Sequence, residues 1–125
     1  MVLQKLALVC RSALRQSDIL GRLGGEEFAV LLPETALEEA AEVAERLRAT
    51  IASMDLRIMG PGSCIRVTIS IGVTEFQRNK DVIPSLDAAL EQADRALYEA
   101  KRRGRNQVVV LAEASATTPA VCTPG

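Results

Sequence analysis

The 125-residue sequence contains no histidine and no tryptophan, and only 2% of its residues are aromatic. The absence of histidine excludes Ser-His-Asp and Cys-His catalysis and histidine-liganded zinc sites. Scarce aromatic rings argue against single-stranded nucleic-acid binding, which depends on base stacking. A formal net charge of -1 provides no positive field for a nucleic-acid backbone or an anionic membrane. Any catalysis must therefore use carboxylates, Lys, Arg, backbone amides or a hard metal ion.

Cysteines are few, and long apolar runs are absent. Cys10, Cys64 and Cys122 are widely spaced, form no CxxC pair and are odd in number, which indicates neither a disulfide framework nor a zinc site. No apolar run approaches the ~18 residues that a membrane span requires. The N-terminal residues include Lys5 and lack a small-residue cleavage site. We therefore expect a cytoplasmic domain whose segment here makes no membrane contact.

Three stretches carry apolar residues at helical spacing, over 2–13, 37–51 and 86–100. The sequence Thr35-Ala-Leu-Glu38 is a capping box that is expected to open the second helix. The cations and glycine of residues 101–104 are typical of the end of the third. The first pattern is already running at residue 1, so we expect this chain to be the C-terminal part of a longer unit.

The strand predictions come from the alternation of apolar and polar residues and from residues that are typical of turns. Asp18 to Leu23 and Glu27 to Leu32 flank the pair Gly24-Gly25, a combination typical of a β-hairpin. Alternating apolar residues over 65–73 predict a strand with one buried face, and residues 108–111 predict a last short strand.

The predicted order is helix, hairpin, helix, strand, helix, strand. With one further strand ahead of residue 1, this order gives an α+β fold of the ferredoxin-like or palm type. We assign residues 1–111 to this domain. Residues 112–125 are rich in Ala, Thr and Pro without periodicity, and we expect them to be a disordered tail.

Two carboxylates, Glu26 and Glu27, directly follow the glycine pair. Glycine allows a ligand to lie against the backbone, and adjacent acids can bind a hard cation or take a proton from a hydroxyl. Strand alternation would send the two acids to opposite faces, which predicts different roles. The alternative is an ordinary hairpin with solvated acids at its tip, because such turns are common.

Four segments of the chain resemble, in order and spacing, the motifs of the diguanylate cyclase (GGDEF) family. They are Gly24 to Phe28 for GG(D/E)EF, Arg15-Gln-Ser-Asp18 for the RxxD inhibitory motif, residues 67–72 for the TISIG strand, and residues 93–106 for the conserved helix and turn. The resemblance covers residues 2–111. It implies a palm-type nucleotidyl cyclase fold that condenses two GTP molecules into cyclic di-GMP with magnesium. It also implies a homodimer with one GTP per domain, controlled by an upstream sensor domain.

The resemblance implies roles for the hairpin residues. Gly24 and Gly25 would lie against the nucleotide. Glu27 would be a magnesium ligand, and Glu26 would lie near the 3'-hydroxyl as a base or a second metal contact. Which acid has which role is left open.

Lys101 and Arg105 would bind the triphosphate, since cations at a helix end and in the following turn can neutralise phosphate oxygens. Judged from the residues alone, both cations are better explained by the dipole at the end of the third helix.

Arg15 and Asp18 would form the product-binding inhibitory site for cyclic di-GMP. Arg46 corresponds to an arginine that completes this site from a second domain in some family members. The alternatives are an exposed i,i+3 ion pair for Arg15 and Asp18, and one more solvated helix arginine for Arg46.

The family's first strand carries a further magnesium-binding Asp and is followed by residues that read guanine, and these positions precede residue 1. The resemblance therefore implies an incomplete metal site and an open seam in the sheet beside residues 67–73, which would promote self-association. We expect the chain alone to be an inactive cyclase domain. The alternatives are a degenerate module that binds cyclic di-GMP or GTP without catalysis, and a dimerisation piece without ligand.

Overall fold

The predicted helices, hairpin and last short strand occur in the predicted order as far as residue 111, but two short strands over 56–57 and 64–65 were not predicted, and the strand expected over 65–73 begins at Ile69. The computed structural model describes residues 2–24, 26–54, 56–57, 64–75, 86–111 and 118–124. Its helices are α1 (Val2–Ala13), α2 (Leu37–Ala52) and α3 (Leu86–Arg102). Its strands are β1 (Ile19–Gly24), β2 (Glu27–Leu32), β3 (Leu56–Arg57), β4 (Cys64–Ile65), β5 (Ile69–Thr74), β6 (Val108–Leu111) and β7 (Thr118–Pro124). The predicted α+β architecture is confirmed.

The predicted hairpin is present in β1 and β2, which pair antiparallel from Ile19 opposite Leu31 to Gly24 opposite Glu27. The register shifts between Arg22 and Gly24, and Gly24 has a φ of +142°. L side chains rarely adopt that conformation, so a glycine is required there. Gly25, the second glycine of the predicted turn, lies outside the described residues.

The apolar core lies mainly between the sheet and the helices α1 and α2. Alternate residues of β2 and β5 pack against buried side chains of α1 and α2 in one cluster: Leu6, Cys10, Phe28, Val30, Leu32, Ala40, Ala44, Leu47, Ile51, Ile69, Ile71 and Val73. None of the helices in the described parts of the chain is long and apolar enough to span a membrane.

Strand β5 is buried along its whole length, whereas the sequence pattern predicted one buried face. Helix α3 covers the second face, and the missing side chain of Gly72 allows the helix to approach the strand closely. A Cβ at Gly72 would overlap the backbone of Ala93 and Leu97, so the helix rests directly on the strand. The alternation of Thr, Ser and Gly on that face does not reveal its burial, because small residues suit close helix packing as well as solvent.

The C-terminal residues form the central strand of the main sheet, whose order is β1-β2-β7-β5-β6. Strand β7 is antiparallel to both β2 and β5. The prediction of a disordered tail over 112–125 is therefore wrong for Thr118–Pro124, while residues 112–117 and 125 lie outside the described residues. The vacant position expected beside β5 is filled by the same chain.

A physical reason for this difference is that an empty position would leave the facing backbone donors and acceptors of β2 and β5 unpaired. Pairing on both sides satisfies them and outweighs the poor strand propensity of β7. That segment contains Pro119 and Pro124, residues that argue against a central strand when the sequence is considered alone.

Replacing Ala120 by proline should test this placement. Ala120 pairs with Val30 and Val73, and a proline there removes a donor from the middle of the sheet. We expect a loss of about 3 kcal/mol in unfolding free energy, measured by urea denaturation followed by circular dichroism. The control Ala36→Pro, at the exposed N-cap of α2 where φ is already -68°, should change the value by less than about 0.5 kcal/mol. Equal effects of the two substitutions would contradict the central position of β7.

Candidate functional site

A row of paired residues crosses the main sheet next to the hairpin turn. The row consists of Phe28 on β2, Cys122 on β7, Ile71 on β5 and Val108 on β6. The side chains of Phe28, Ile71 and Val108 lie in the core beneath α1 and α2. Because successive strand residues alternate in direction, Glu27 and Ser70, one residue nearer the turn, face the α3 side.

The end of α3 lies at this same end of the sheet. Strands β5 and β6 are parallel and α3 connects them, so α3 runs back along β5 and finishes near Ser70. Glu27 and Gln107 are then three strand positions apart, about 14 Å at the usual strand spacing. Glu27 and the end of α3, which carries Lys101, therefore lie at the same end of the sheet and on its α3 side, at a separation that a polyphosphate chain with its sugar could bridge.

The two glutamates have different surroundings. Glu27 is half-buried at the start of β2, whereas Glu26 is exposed in the turn that precedes the strand. The predicted alternation to opposite faces does not apply, because Glu26 is not part of a strand. Different roles for the two acids stay a prediction, supported now by unequal burial.

The predicted phosphate-binding cations lie at the end of α3 and just beyond it. Lys101 is half-buried in the last turn of the helix, and Arg105 is exposed in the turn that follows. Gly104 and Arg105 both have positive φ angles, of 120° and 65°. The N–H of Arg105 donates to the carbonyl of Ala100 at 2.9 Å, which closes the helix end.

The described residues do not form a complete magnesium site. Among them, no group of three or more His, Cys, Asp or Glu side chains could hold a metal ion. Strand β7, the neighbour of Glu27 in the sheet, contains no acidic residue. Glu26 and Glu27 alone would leave most of the octahedral shell of Mg²⁺ to other ligands.

A second candidate site is a pocket of about 430 Å³ that is lined by both Arg15 and Arg46. Thr35, Glu39 and Glu42 contribute further polar side chains to its lining. The structure thus brings the two predicted inhibitory arginines together within one chain, whereas the resemblance implied an Arg46 donated by a second domain.

The side chain of Asp18 is buried, whereas a surface ion pair would require an exposed carboxylate. Its side chain is 3% exposed, against 60% for Arg15. Its Oδ2 accepts the backbone N–H of Arg15 at 2.8 Å, while Oδ1 is buried without a hydrogen-bond partner. Asp18 therefore stabilises the turn between α1 and β1, and the interpretation as an exposed pair is wrong for this residue.

Sequence reasoning missed Thr35 and Arg48 as parts of these sites. Thr35 was expected to cap α2, but α2 has Ala36 at its N-cap without a side-chain cap bond. The Thr35 hydroxyl instead accepts Nη2 of Arg15 at 2.6 Å and donates to the carbonyl of Pro33 at 3.0 Å. Arg48 donates to Asn106 Oδ1 at 2.9 Å. These partners are 20 and 58 residues apart in sequence, so no local spacing could reveal them.

Comparison with known proteins matches this geometry to a family. The model of the family "Diguanylate cyclase, GGDEF domain" matches residues 1–107. Diguanylate cyclase DgcP of Pseudomonas aeruginosa is 44% identical over 109 residues, which are 87% of this chain and 15% of that protein. The GGDEF domain of DgcB from Caulobacter crescentus, in complex with c-di-GMP, aligns with a TM-score of 0.77 and 32% identity over 87% of this chain and 62% of that one.

The active GGEEF domain of a diguanylate cyclase from Vibrio cholerae aligns with a TM-score of 0.77 and 28% identity, covering 90% of this chain and 68% of that one. The fold is that of a palm-type α+β domain of the nucleotidyl cyclase class. The chain belongs to the GGDEF diguanylate cyclase family. It spans less than a third of the length of the first curated relatives that it matches.

Unequal burial of Arg15 and Asp18 predicts unequal effects on stability. Asp18→Ala removes the acceptor of the Arg15 N–H and should lower the unfolding free energy by about 1 to 2 kcal/mol. Arg15→Ala removes a mostly exposed side chain and should cost less than about 1 kcal/mol. Urea denaturation of both variants measures the difference. Two equally small effects would restore the surface ion-pair interpretation.

Proposed function

We propose that this domain serves the synthesis of cyclic di-GMP from two GTP molecules, and that the chain by itself binds GTP without condensing it. The observation that supports the proposal is that the start of β2, with Glu26 and Glu27, and the end of α3, with Lys101 and Arg105, lie at the same end of the sheet in a member of the diguanylate cyclase family. Relatives whose names state this activity support it, as does the active GGEEF domain, which has glutamate at the position of Glu26.

In this proposal, GTP lies along the end of the sheet. Lys101 and Arg105 hold the triphosphate, a role that suits a half-buried ammonium in the last turn of α3 and an exposed guanidinium in the turn that follows. Gly24 and Gly25 allow the nucleotide to approach the backbone of the turn. Since GTP is a cytoplasmic nucleotide, the domain would act in the cytoplasm.

Condensation of two GTP molecules forms two phosphodiester bonds and releases two pyrophosphates. Each domain of a homodimer would present one GTP to the other, with Glu27 as a magnesium ligand and Glu26 as a base or second metal contact. When bound, magnesium would supply charge neutralisation for the phosphates. The greater length of the relatives leaves room for a sensor domain that controls the reaction.

Among the residues that the structure describes, no third carboxylate completes a metal site with Glu26 and Glu27, which argues against condensation by the chain alone. The strand next to Glu27 is β7, and its sequence contains no acid. The magnesium ligands that the described residues offer are therefore too few, and the charge on the reacting phosphates stays poorly compensated.

Incubation of the chain with GTP and magnesium, followed by chromatography of the nucleotides, should give no cyclic di-GMP. Titration calorimetry with GTP should still detect binding, weakened by Lys101→Gln, while the control Glu38→Gln on α2 leaves it unchanged. Thr123→Asp, which adds a carboxylate at the β7 position nearest Glu27, should strengthen the magnesium-dependent part of GTP binding. Formation of cyclic di-GMP by the unmodified chain would overturn the claim of inactivity.

A second function, binding of cyclic di-GMP, is supported by the pocket between α1 and α2. Two arginines line it, and a guanidinium can bind a phosphate or the acceptor edge of guanine through two hydrogen bonds. The buried Oδ1 of Asp18 is an acceptor without a partner, located beside Arg15. This arrangement would bind the product and regulate the domain, and one aligned relative is itself in complex with c-di-GMP.

Arg15→Ala and Arg46→Ala should each weaken cyclic di-GMP binding by roughly tenfold, the usual scale for one charge-assisted contact. Arg11→Ala on α1 is the matched control, because Arg11 is exposed and does not line the pocket. Titration calorimetry provides the affinities. Unchanged affinity in both pocket variants would remove the binding function from this pocket.

A further inference from the structure

The turn after α3 contains three consecutive residues with positive φ: Gly104 at 120°, Arg105 at 65° and Asn106 at 49°. Glycine adopts such angles readily, but arginine does so rarely, and asparagine does so several-fold more often than most residues. Strained residues of this kind persist only where surrounding contacts hold them in place. The contacts around this turn should therefore show which residues hold its conformation.

On the sheet side, backbone and hydroxyl groups hold the turn. The N–H of Asn106 donates to Ser70 Oγ at 3.2 Å, and the N–H of Ile71 donates to the carbonyl of Gln107 at 3.0 Å. Both contacts connect the turn to β5. They act on the backbone of residues 106 and 107. The backbone of Arg105 is bonded within the turn, where its N–H donates to the carbonyl of Ala100 at 2.9 Å and its carbonyl accepts Nε2 of Gln107 at 3.1 Å. None of these bonds fixes the side chain of Asn106.

On the opposite side, Arg48 of α2 donates from Nη1 to Oδ1 of Asn106 at 2.9 Å. The guanidinium is itself fixed, because its Nε donates to both carboxylate oxygens of Glu45 at 3.0 Å. The Arg48 side chain is 20% exposed. The same hydrogen bonding lowers the pKa of Glu45 below its usual value, so the carboxylate stays charged and keeps the guanidinium in place.

We propose that Arg48 is a positioning residue for phosphate binding: it holds Asn106, and through it keeps Arg105 in the conformation that presents its guanidinium to the triphosphate. This inference rests on the proposed role of Lys101 and Arg105. Arg48 itself binds no phosphate in this scheme. Its donors are directed to Glu45 and Asn106, which together occupy its Nε, Nη1 and Nη2.

An arginine is required for this task. One planar group bonds Glu45 along one edge and Asn106 from the other, and the fork geometry fixes the direction of both bonds. A lysine keeps the charge but offers one rotatable ammonium, which does not hold two partners in a fixed relation. Arg48→Lys therefore separates positioning from charge.

The test is titration calorimetry of the full chain with inorganic tripolyphosphate, without guanine or metal. Arg48→Lys should weaken binding about threefold to tenfold, a usual size for an indirect coupling. The matched control is Arg102→Lys, because Arg102 also pairs with a glutamate three residues earlier, Glu99, and has no bond to the turn. The control should bind as the unmodified chain does, and both variants should have similar thermal midpoints.

A double-mutant cycle identifies the route. Asn106→Gly tolerates the left-handed conformation but lacks Oδ1, so Arg48→Lys should have no further effect on affinity in that background. An equal loss in both backgrounds would show that Arg48 acts by another route and overturn the proposal. Unchanged binding by Arg48→Lys in the otherwise unmodified chain would overturn the positioning role alone. Absence of tripolyphosphate binding by the unmodified chain would overturn the phosphate role of Lys101 and Arg105, and the positioning role with it.

Discussion

Pairing of β7 with both β2 and β5 is the interaction on which the rest of the sheet depends. Without β7, the described sheet divides into the hairpin β1-β2 and the parallel pair β5-β6. The two halves would then expose facing rows of unpaired N–H and C=O groups. A seven-residue segment with two prolines is a poor strand by composition, yet the position gives its backbone partners on both sides. The hydrogen bonds to the two neighbouring strands therefore outweigh the low strand propensity of this segment.

The same pairing sets the geometry of the candidate site. Glu27 belongs to one half of the sheet, and the turn with Arg105 is bonded to the other through Ser70 and Ile71. Strand β7 fixes the distance between these halves. Helix α2 adds a second constraint, because it carries Arg46 in the lining of the Arg15 pocket and Arg48, which is bonded to Asn106 in the turn after α3. The separation of carboxylates and cations is thus a property of the assembled sheet.

Apolar spacing and turn residues were sufficient to predict the hairpin, the three helices and β6, since these elements depend on contacts close in sequence. The motif resemblance predicted roles for the acids at the hairpin and for the cations at the end of α3, and these roles stay predictions. Burial of Asp18, the bond between Arg15 and Thr35, and the bond between Arg48 and Asn106 depend on which segments meet in space. Local patterns carry no signal for such contacts. The central strand was missed for the same reason, because its partners lie about 50 and 90 residues earlier in the chain.

Hydrogen exchange of the β7 amides tests the central position of β7 most directly. If β7 is the central strand, successive amides of residues 120–123 donate alternately to β2 and to β5, so all of them exchange about as slowly as the amides of β5. The account predicts protection of both strands within about one order of magnitude. Exchange of the β7 amides at the rate of an unstructured peptide, with β2 and β5 still protected, would contradict it.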